Sequence, residues 1–492
     1  MNIVLIAIDA LRVDRVGCYG CARPTTPFID SLAASGVVFE NHFTPVVPTQ
    51  PAFTTIFSGT HPLTHRVFSH AGLQQPNPRV AWLPLLLRAK NFTTVAVDTL
   101  YDHRPYFARG FEYYINPRRK GEFPAYDVFN ERAIAWLRGC RREPFFMTLH
   151  YWDPHTPYLA PHATVSRFYE GDPTTTNVGS LDSFYGRPQI ERWPSTWFAH
   201  LRQRWPGCSG ERIEDAEFIR AHYDAEVATA DDGVRQLTEV LDELGLLEDT
   251  LLVVFSDHGE ELGEHGIWFD HHGLYDTNLR APLVLHWPRG LGGSRRVSAM
   301  SQHQDLAATL LDAVDLKVPR QIEGRTLLPA ARGETTTTHW SHSLMACECT
   351  WQKKWAMRTP EYKLIVSREP DWHDRPAVEL YDLVEDPGEQ TDIFSSSPLI
   401  ARKLLDRFDA QLSSMIESRG LTGDPLAASA LTLGRRMWAR LGRAYPPAPG
   451  DGWKPHDTPR IKVQRRGAPS QRGVPRPVPV PGKPPRADDR GK

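Results

Sequence analysis

The chain has no long apolar run. Its opening stretch, "MNIVLIAIDALRVD", carries six apolar residues from Ile3 to Ile8 before it meets Asp9. That is too short for a secretion-signal core or a membrane span, and no later stretch reaches eighteen apolar residues. The expectation is a soluble, cytoplasmic protein with no membrane partner. An excess of one charge is also lacking: 57 Lys and Arg face 59 Asp and Glu, for a net charge of -2. Such a balance argues against nucleic acid as the main partner. Cysteine is sparse, with six in 492 residues. "CYGC" (Cys18 and Cys21) has zinc-ligand spacing and "CEC" (Cys347 and Cys349) could ligate, but no regular second pair accompanies them. Free thiols are expected. Internal repeats are absent as well.

What the chain does have is a succession of short apolar, β-branched segments. "NIVLIAI", "FTTVAVD", "PFFMTLHY", "TLLVVFSD" and "APLVLHWP" each read as a buried strand. "DAEFIRAHYDAEVATADDGVRQLTEVLDELG" spaces its apolar residues as a helix and stops at Gly245. Strands alternating with helices predict an α/β domain around a mainly parallel sheet, over residues 1–330. Residues 162–211, with Trp193, Trp197 and Trp205, break the alternation. They read as a lid or as a surface excursion with its own aromatic cluster. Residues 331–445 predict a small second unit. "WQKKWAMRTPEYKLIVS" and "AVELYDLVEDPGE" suit antiparallel strands, "SPLIARKLLDRFDAQLSSMIESRG" an amphipathic helix, and "PLAASALTLGRRMWARLGRAY" another. Residues 446–492 are dense in Pro, Gly and Arg and predict a disordered basic tail.

Chemistry gathers at the predicted strand ends. Asp9 follows the first strand, "DPH" with His155 the third, and Asp257 with His258 the fourth. Open α/β sheets bind ligands beyond the carboxyl ends of their strands, so these residues can converge. Two carboxylates and an imidazole suit a divalent metal. Singly, each has a blander reading as a turn or helix cap. Thr49, in "TPVVPTQPAFTTIFSGTHP", stands at the mouth of a helix that Pro51 helps to start. It reads either as a cap or as a nucleophile beside an anion-binding helix start.

Several separate blocks, in order, resemble the sulfatase family of the alkaline phosphatase superfamily. They are "NIVLIAIDALRVDRVGCYG", "TTPFIDSLAASGVVFENHF", "PTQPAFTTIFSGTHP", "LHYWDPHTPY", "TLLVVFSDHGEELGEHG" and "ELYDLVEDPGEQTD". The resemblance implies an alkaline-phosphatase-like α/β sandwich with helices on both sides of the sheet, and a small C-terminal antiparallel subdomain. It implies a divalent ion (Ca, Mg, Mn or Zn) on Asp9, Thr49, Asp257 and His258. It also implies catalytic roles for Thr49, His155 and His271, with a small phosphate or sulfate ester as partner.

Departures from the family pattern point away from sulfate. The family's Cys or Ser, oxidised to formylglycine, falls on Thr49, and a secondary alcohol cannot become that aldehyde. Threonine there is similar to the nucleotide pyrophosphatase/phosphodiesterases and the phosphoethanolamine transferases. The motif's Ser and Arg become Ala52 and Phe53, the paired Asp-Asp becomes Asp9-Ala10, and His271 or His272 stands where a cation is expected. Of those two, His272 reads as a loop residue. The resulting expectation is a hydrolase that prefers phosphoesters or phosphodiesters to sulfate esters and works through a covalent intermediate on Thr49. A phospho-group transferase and a catalytically silent binding protein are the alternatives. A homo-oligomer is compatible with all three.

Overall fold

The computed structural model describes residues 1–428 except 71, 73, 119–123, 176–178, 186–197, 199–200, 202–204, 206–211, 335–342 and 372. The expected tail at 446–492 and most of the helix expected after Pro425 therefore lie outside the described residues, as do Trp193 and Trp197.

Fifteen strands are described. The first seven are β1 (Asn2–Ile8), β2 (Val37–Phe43), β3 (Val46–Val47), β4 (Thr93–Val97), β5 (Tyr113–Ile115), β6 (Phe145–Tyr151) and β7 (Thr250–Phe255). Next come β8 (Glu261–Leu262), β9 (Trp268–Asp270), β10 (Leu283–His286) and β11 (Arg295–Gln302). The last four are β12 (Leu344–Glu348), β13 (Lys354–Arg358), β14 (Tyr362–Ser367) and β15 (Val378–Asp382). Eight of them form the main sheet, in the order β11-β2-β10-β7-β1-β6-β4-β5. Only β10 runs against its neighbours, so the sheet is mainly parallel, as expected.

The apolar runs become central strands because both faces of this sheet are covered. Along β1, Val4, Ile6 and Ile8 enter one core while Ile3, Leu5 and Ala7 enter the other. Helices α1 (Pro27–Ser35), α3 (Tyr126–Gly139) and α4 (Ala216–Glu243) cover the first face. Helices α2 (Thr49–Ser58) and α5 (Gln304–Ala313) cover the second. The predicted long helix is α4, and the Asp215 carboxylate accepts the Glu217 amide at its start. At the other end of α2, Gly59 takes φ +63, and a Cβ there would come within 2.8 Å of Ile322 and 3.0 Å of Ala307. Glycine is needed on both counts.

The described parts of 162–211 pack by aromatic contacts. Tyr169 and Trp205 meet Phe218 on α4, and Phe184 meets Phe269 on β9.

The second sheet has the order β15-β14-β13-β12-β3. Its four C-terminal strands are antiparallel, as predicted, and α6 (Pro398–Ser418) lies on it through Leu404, Phe408, Leu412 and Ile416. Its fifth member was not foreseen. The two residues of β3 come from the N-terminal part of the chain and pair in parallel with Cys347 and Glu348 of β12. Among the described residues no helix is long and apolar enough to cross a membrane, and the five described cysteines are free thiols.

Candidate active site

Parallel neighbours β7, β1 and β6 end side by side, and their ends carry Asp257, Asp9 and His150. The turn after β1 is stitched to its surroundings. Ala10 sits at φ +57, an uncommon conformation for a residue with a Cβ. Its amide donates to Asp257 Oδ1 (3.4 Å), and the Leu11 amide donates to Ser256 Oγ (3.0 Å). The Tyr223 hydroxyl on α4 donates to the Ala10 carbonyl (2.7 Å) and accepts the Arg12 amide (2.9 Å). These bonds hold the Asp9 backbone in place against β7 and α4.

His258 Nδ1–H donates to the Gly259 carbonyl at 2.8 Å, which leaves the Nε2 lone pair for the site. That nitrogen lies 3.2 Å from Thr49 Oγ1, 3.6 Å from Asp9 Oδ1 and 3.5 Å from Asp257 Oδ2. Thr49 itself opens α2 but makes no capping bond, and the helix has no side-chain cap at its N-terminus. Its hydroxyl is turned into the cluster instead. His150 Nε2 approaches Asp9 Oδ2 at 3.1 Å. The four expected ligands therefore converge, and His150 joins them.

Asp9, His150 and Asp257 offer three ligand atoms within 4.8 Å of one another, all buried. Neither Asp9 oxygen nor Asp257 Oδ2 accepts a well-formed hydrogen bond. Buried carboxylates without donors are costly unless a cation compensates them, so these residues fit a divalent ion. The electrostatics agree. Burial, reinforced by the charge of Asp9, drives the Asp257 carboxyl well above the usual range. Burial opposes ionisation of Asp9 too, but the His155, His150 and His258 imidazoles outweigh it and hold Asp9 low.

A layer behind the cluster fixes it further. His303 Nε2–H donates to the Asp257 carbonyl (2.8 Å), and its Nδ1 accepts from His42 Nε2–H (2.8 Å). His42 Nδ1 then accepts from the Ser301 hydroxyl (2.8 Å).

His155 and His271 face each other with ring centres 5.3 Å apart, and His271 lies 4.7 Å from His258. Both expected histidines are thus at the site. His155 Nδ1 bonds the Thr156 carbonyl (2.6 Å). Burial, with His258 and His155 adding to it, keeps His271 neutral. His272 lies in a loop, as expected, and is buried there, meeting Asp270 at 3.3 Å and His373 at 3.2 Å. Phe53 lies edge-on to His150 with ring centres 4.6 Å apart, so an apolar ring borders the cluster.

Sequence reasoning passed over His150, Glu260 and Asp270. His150 lies within an apolar strand, where one imidazole among Phe, Met, Leu and Tyr was the available signal.

A family model described as Sulfatase matches residues 1–316. The chain belongs to the sulfatase family. A second model, described as N-sulphoglucosamine sulphohydrolase, C-terminal, matches residues 263–417. Among curated relatives, an N-acetylglucosamine-6-O-sulfatase of Bacteroides thetaiotaomicron is 24% identical, covering 80% of this chain and 83% of its own. A multifunctional alkaline phosphatase superfamily protein, PehA, of Trinickia caryophylli is 26% identical, covering 67% of this chain and 76% of its own. A solved protein bound to its substrate D-glucosamine-2-N,6-O-disulfate superposes with a TM-score of 0.67 at 21% identity, covering 83% of this chain and 97% of its own. The phosphonate monoester hydrolase of Agrobacterium radiobacter does so with a TM-score of 0.65 at 20% identity, covering 85% of this chain and 96% of its own. This sulfatase-family chain has the alkaline-phosphatase-like fold and is a hydrolase of sulfuric or phosphoric esters. Divalent-metal dependence is a family property, and the Asp9, His150, Asp257 cluster is where this sulfatase-family chain can meet it.

Proposed function

We propose that this chain is a metal-dependent hydrolase of phosphate-type esters that uses unmodified Thr49 as its nucleophile, with sulfate esters slower. The observation that carries this reading is the Thr49 hydroxyl. It is buried, makes no capping bond, and lies 3.2 Å from His258 Nε2 beside two buried carboxylates. Thr49 carries a secondary alcohol, whose oxidation yields a ketone rather than the formylglycine aldehyde.

Asp9, Asp257 and His258 would hold the divalent ion with Thr49, and His150 would hold Asp9 or share in binding. Bound there, the ion would lower the hydroxyl pKa and offset the ester's negative charge. The chain's own groups do the rest. The N-terminus of α2 favours an anion beside Thr49. Thr49 Oγ1 gives its proton to solvent and attacks phosphorus, and the bond from phosphorus to the leaving oxygen breaks. His155 Nδ1–H donates to the Thr156 carbonyl, which leaves Nε2 for the ester, and the imidazolium form of His155 delivers the Nε2 proton to the leaving alcohol. His271 contacts the remaining ester oxygens. Water then cleaves the phospho-threonine, with positioning and charge neutralisation supplying most of the acceleration.

Aryl phosphate, phosphodiester, phosphonate and sulfate esters, tested on the wild type and on Thr49→Ser, Thr49→Ala and Thr49→Asn, examine this directly. Only the Ser variant should retain turnover, and peptide mass spectrometry of rapidly quenched enzyme should locate a phosphoryl group on Thr49. Near wild-type rates in Thr49→Asn would remove the mechanism. A metal-loaded wild type inert to every ester would favour the binding-protein reading, for which Phe53 in the arginine position speaks.

A further inference from the structure

A second group of ligand-type side chains lies against the first centre. Glu260, Asp270 and His271 each present one donor atom, all within 4.8 Å of one another. His271 Nδ1 is 3.5 Å from Glu260 Oε1 and 3.7 Å from Asp270 Oδ1. Donor atoms that share one first-row ion at 2.0–2.2 Å stand about 3–4.3 Å apart, so both distances suit a common ion. The Glu260 side chain is fully buried, and no hydrogen bond of good geometry reaches either of its oxygens or His271 Nδ1. The Tyr158 phenol lies beside Glu260. Chain geometry orders the group: the His271 amide donates to Asp270 Oδ1 (2.9 Å), and His272 Nε2 stands 3.3 Å from Asp270 Oδ2. An outer partner of that kind holds a ligating carboxylate in orientation.

Charge gives the group a consequence. An anionic ester placed against Thr49 and His258 also lies beside His271, whose ring is 4.7 Å from His258. A cation held by Asp9 and Asp257 does not reach Asp270, whose carboxylate stands on the same side of the site as the ester. An ion on Asp270 and Glu260 removes the repulsion between that carboxylate and the substrate.

We infer that Glu260, Asp270 and His271 form a second divalent-cation site adjacent to the first. Two carboxylates and an imidazole suit Mn(II) or Zn(II). An ion on His271 Nδ1 leaves the proton on Nε2, which fixes the tautomer able to donate to an ester oxygen. The inference rests on the proposed function for the presence of the first ion.

The test counts metal. Full-length protein stripped with chelator is loaded with Mn(II), and separately with Zn(II), and analysed by plasma mass spectrometry after gel filtration. The wild type should hold two equivalents per chain. Glu260→Gln and Asp270→Asn should each hold one, with unchanged circular dichroism. Asp270 is partly exposed, so its variant gives a readout if the buried Glu260 change impairs folding. Mn(II) resonance should show spin coupling in the wild type and an isolated ion in either variant. One equivalent in the wild type with both metals, or two retained in both variants, overturns the inference. A single equivalent that disappears in Asp257→Asn would leave the first centre standing and remove only this one. A count indifferent to Asp257→Asn would remove the first centre.

Discussion

Stripping the cation from the first centre uncovers a repulsion whose size the structure sets. Asp9 and Asp257 present ligand atoms within 4.8 Å of each other, and both side chains are buried. Ionised together, they would repel by about 3.5 kcal/mol at an effective dielectric near 20, and with burial that repulsion is what drives Asp257 up when no ion is bound. His150 offers partial relief. Its Nε2 is 3.1 Å from Asp9 Oδ2, and a protonated imidazole there returns about 5 kcal/mol on the same scale. In the metal-free protein His150 is accordingly raised: burial disfavours its charge, but the Asp9 carboxylate outweighs burial. A histidine whose folded pKa exceeds its unfolded value stabilises fully below the unfolded pKa. That contribution is lost as pH rises through the folded one. The stripped protein should therefore lose stability as the pH is raised above the ordinary histidine value of about 6.5. Metal-loaded protein should stay level, because the ion replaces the proton. Unfolding a chain of this length carries about 1 kcal/mol per kelvin of entropy, so 3.5 kcal/mol is about 3–4 °C in Tm. Thermal melts below and above that pH, with chelator and after metal is restored, measure it. A chelator effect under about 1 °C at the higher pH, or a larger gap at the lower pH, would refute the reasoning.

Three further perturbations follow from other parts of the molecule. Lys354 Nζ lies 2.6 Å from Asp371 Oδ2 and 3.4 Å from Glu379 Oε1, all buried. Lys354→Met should cost about 3–5 kcal/mol in denaturant titration, and a loss below about 1 kcal/mol would contradict a paired buried network. His303→Phe cuts the chain from His42 to the Asp257 carbonyl. Metal affinity by calorimetry should fall about 10–100-fold with the fold intact, and an unchanged Kd would exclude an orienting role. Asp231 accepts the Phe28 and Ile29 amides at the start of α1, and burial pushes it up to about 6. A raised carboxylate costs stability as pH climbs through that window, and asparagine escapes the cost. The Tm deficit of Asp231→Asn should therefore narrow from about pH 4 to about pH 7, by up to about 3 kcal/mol. A constant deficit would count against it.

Legibility in the sequence followed burial. β1, β6 and β7 announced themselves because a strand covered on both faces is apolar throughout. "RRVSAMSQ" did not, because β11 is an edge strand with exposed positions. β2, "VVFENHF", was masked by half-buried Glu40 and Asn41 and by His42, which is buried because it bonds Ser301 and His303. The reversed direction of β10 depends on tertiary pairing, which its own residues do not encode. At the site, Asp9, Asp257, His258 and His155 were legible as polar residues directly after apolar strands. Thr49 needed the neighbouring blocks to lift it above a cap. His150 was hidden by its position inside the strand pattern. Glu260 and Asp270 had no periodicity to mark them, and only the turn between β8 and β9 brings them together.

The short strand β3 binds the fates of the two sheets together. Val46 and Val47 give their backbone partners to β12, the Pro45 carbonyl accepts the Cys347 amide at 3.0 Å, and Thr49 follows two residues later. The Thr49 hydroxyl is thus tethered to a segment nearly three hundred residues away in sequence. The smaller sheet cannot be exchanged as a cassette between homologues without re-seating Thr49, the proposed nucleophile. Nor could an N-terminal fragment that ends before β12 inherit the activity, since the run leading to Thr49 would lose its partner strand. Recombination within such proteins would have to respect that joint, and breakpoints that part β3 from β12 should yield folded but inactive hybrids.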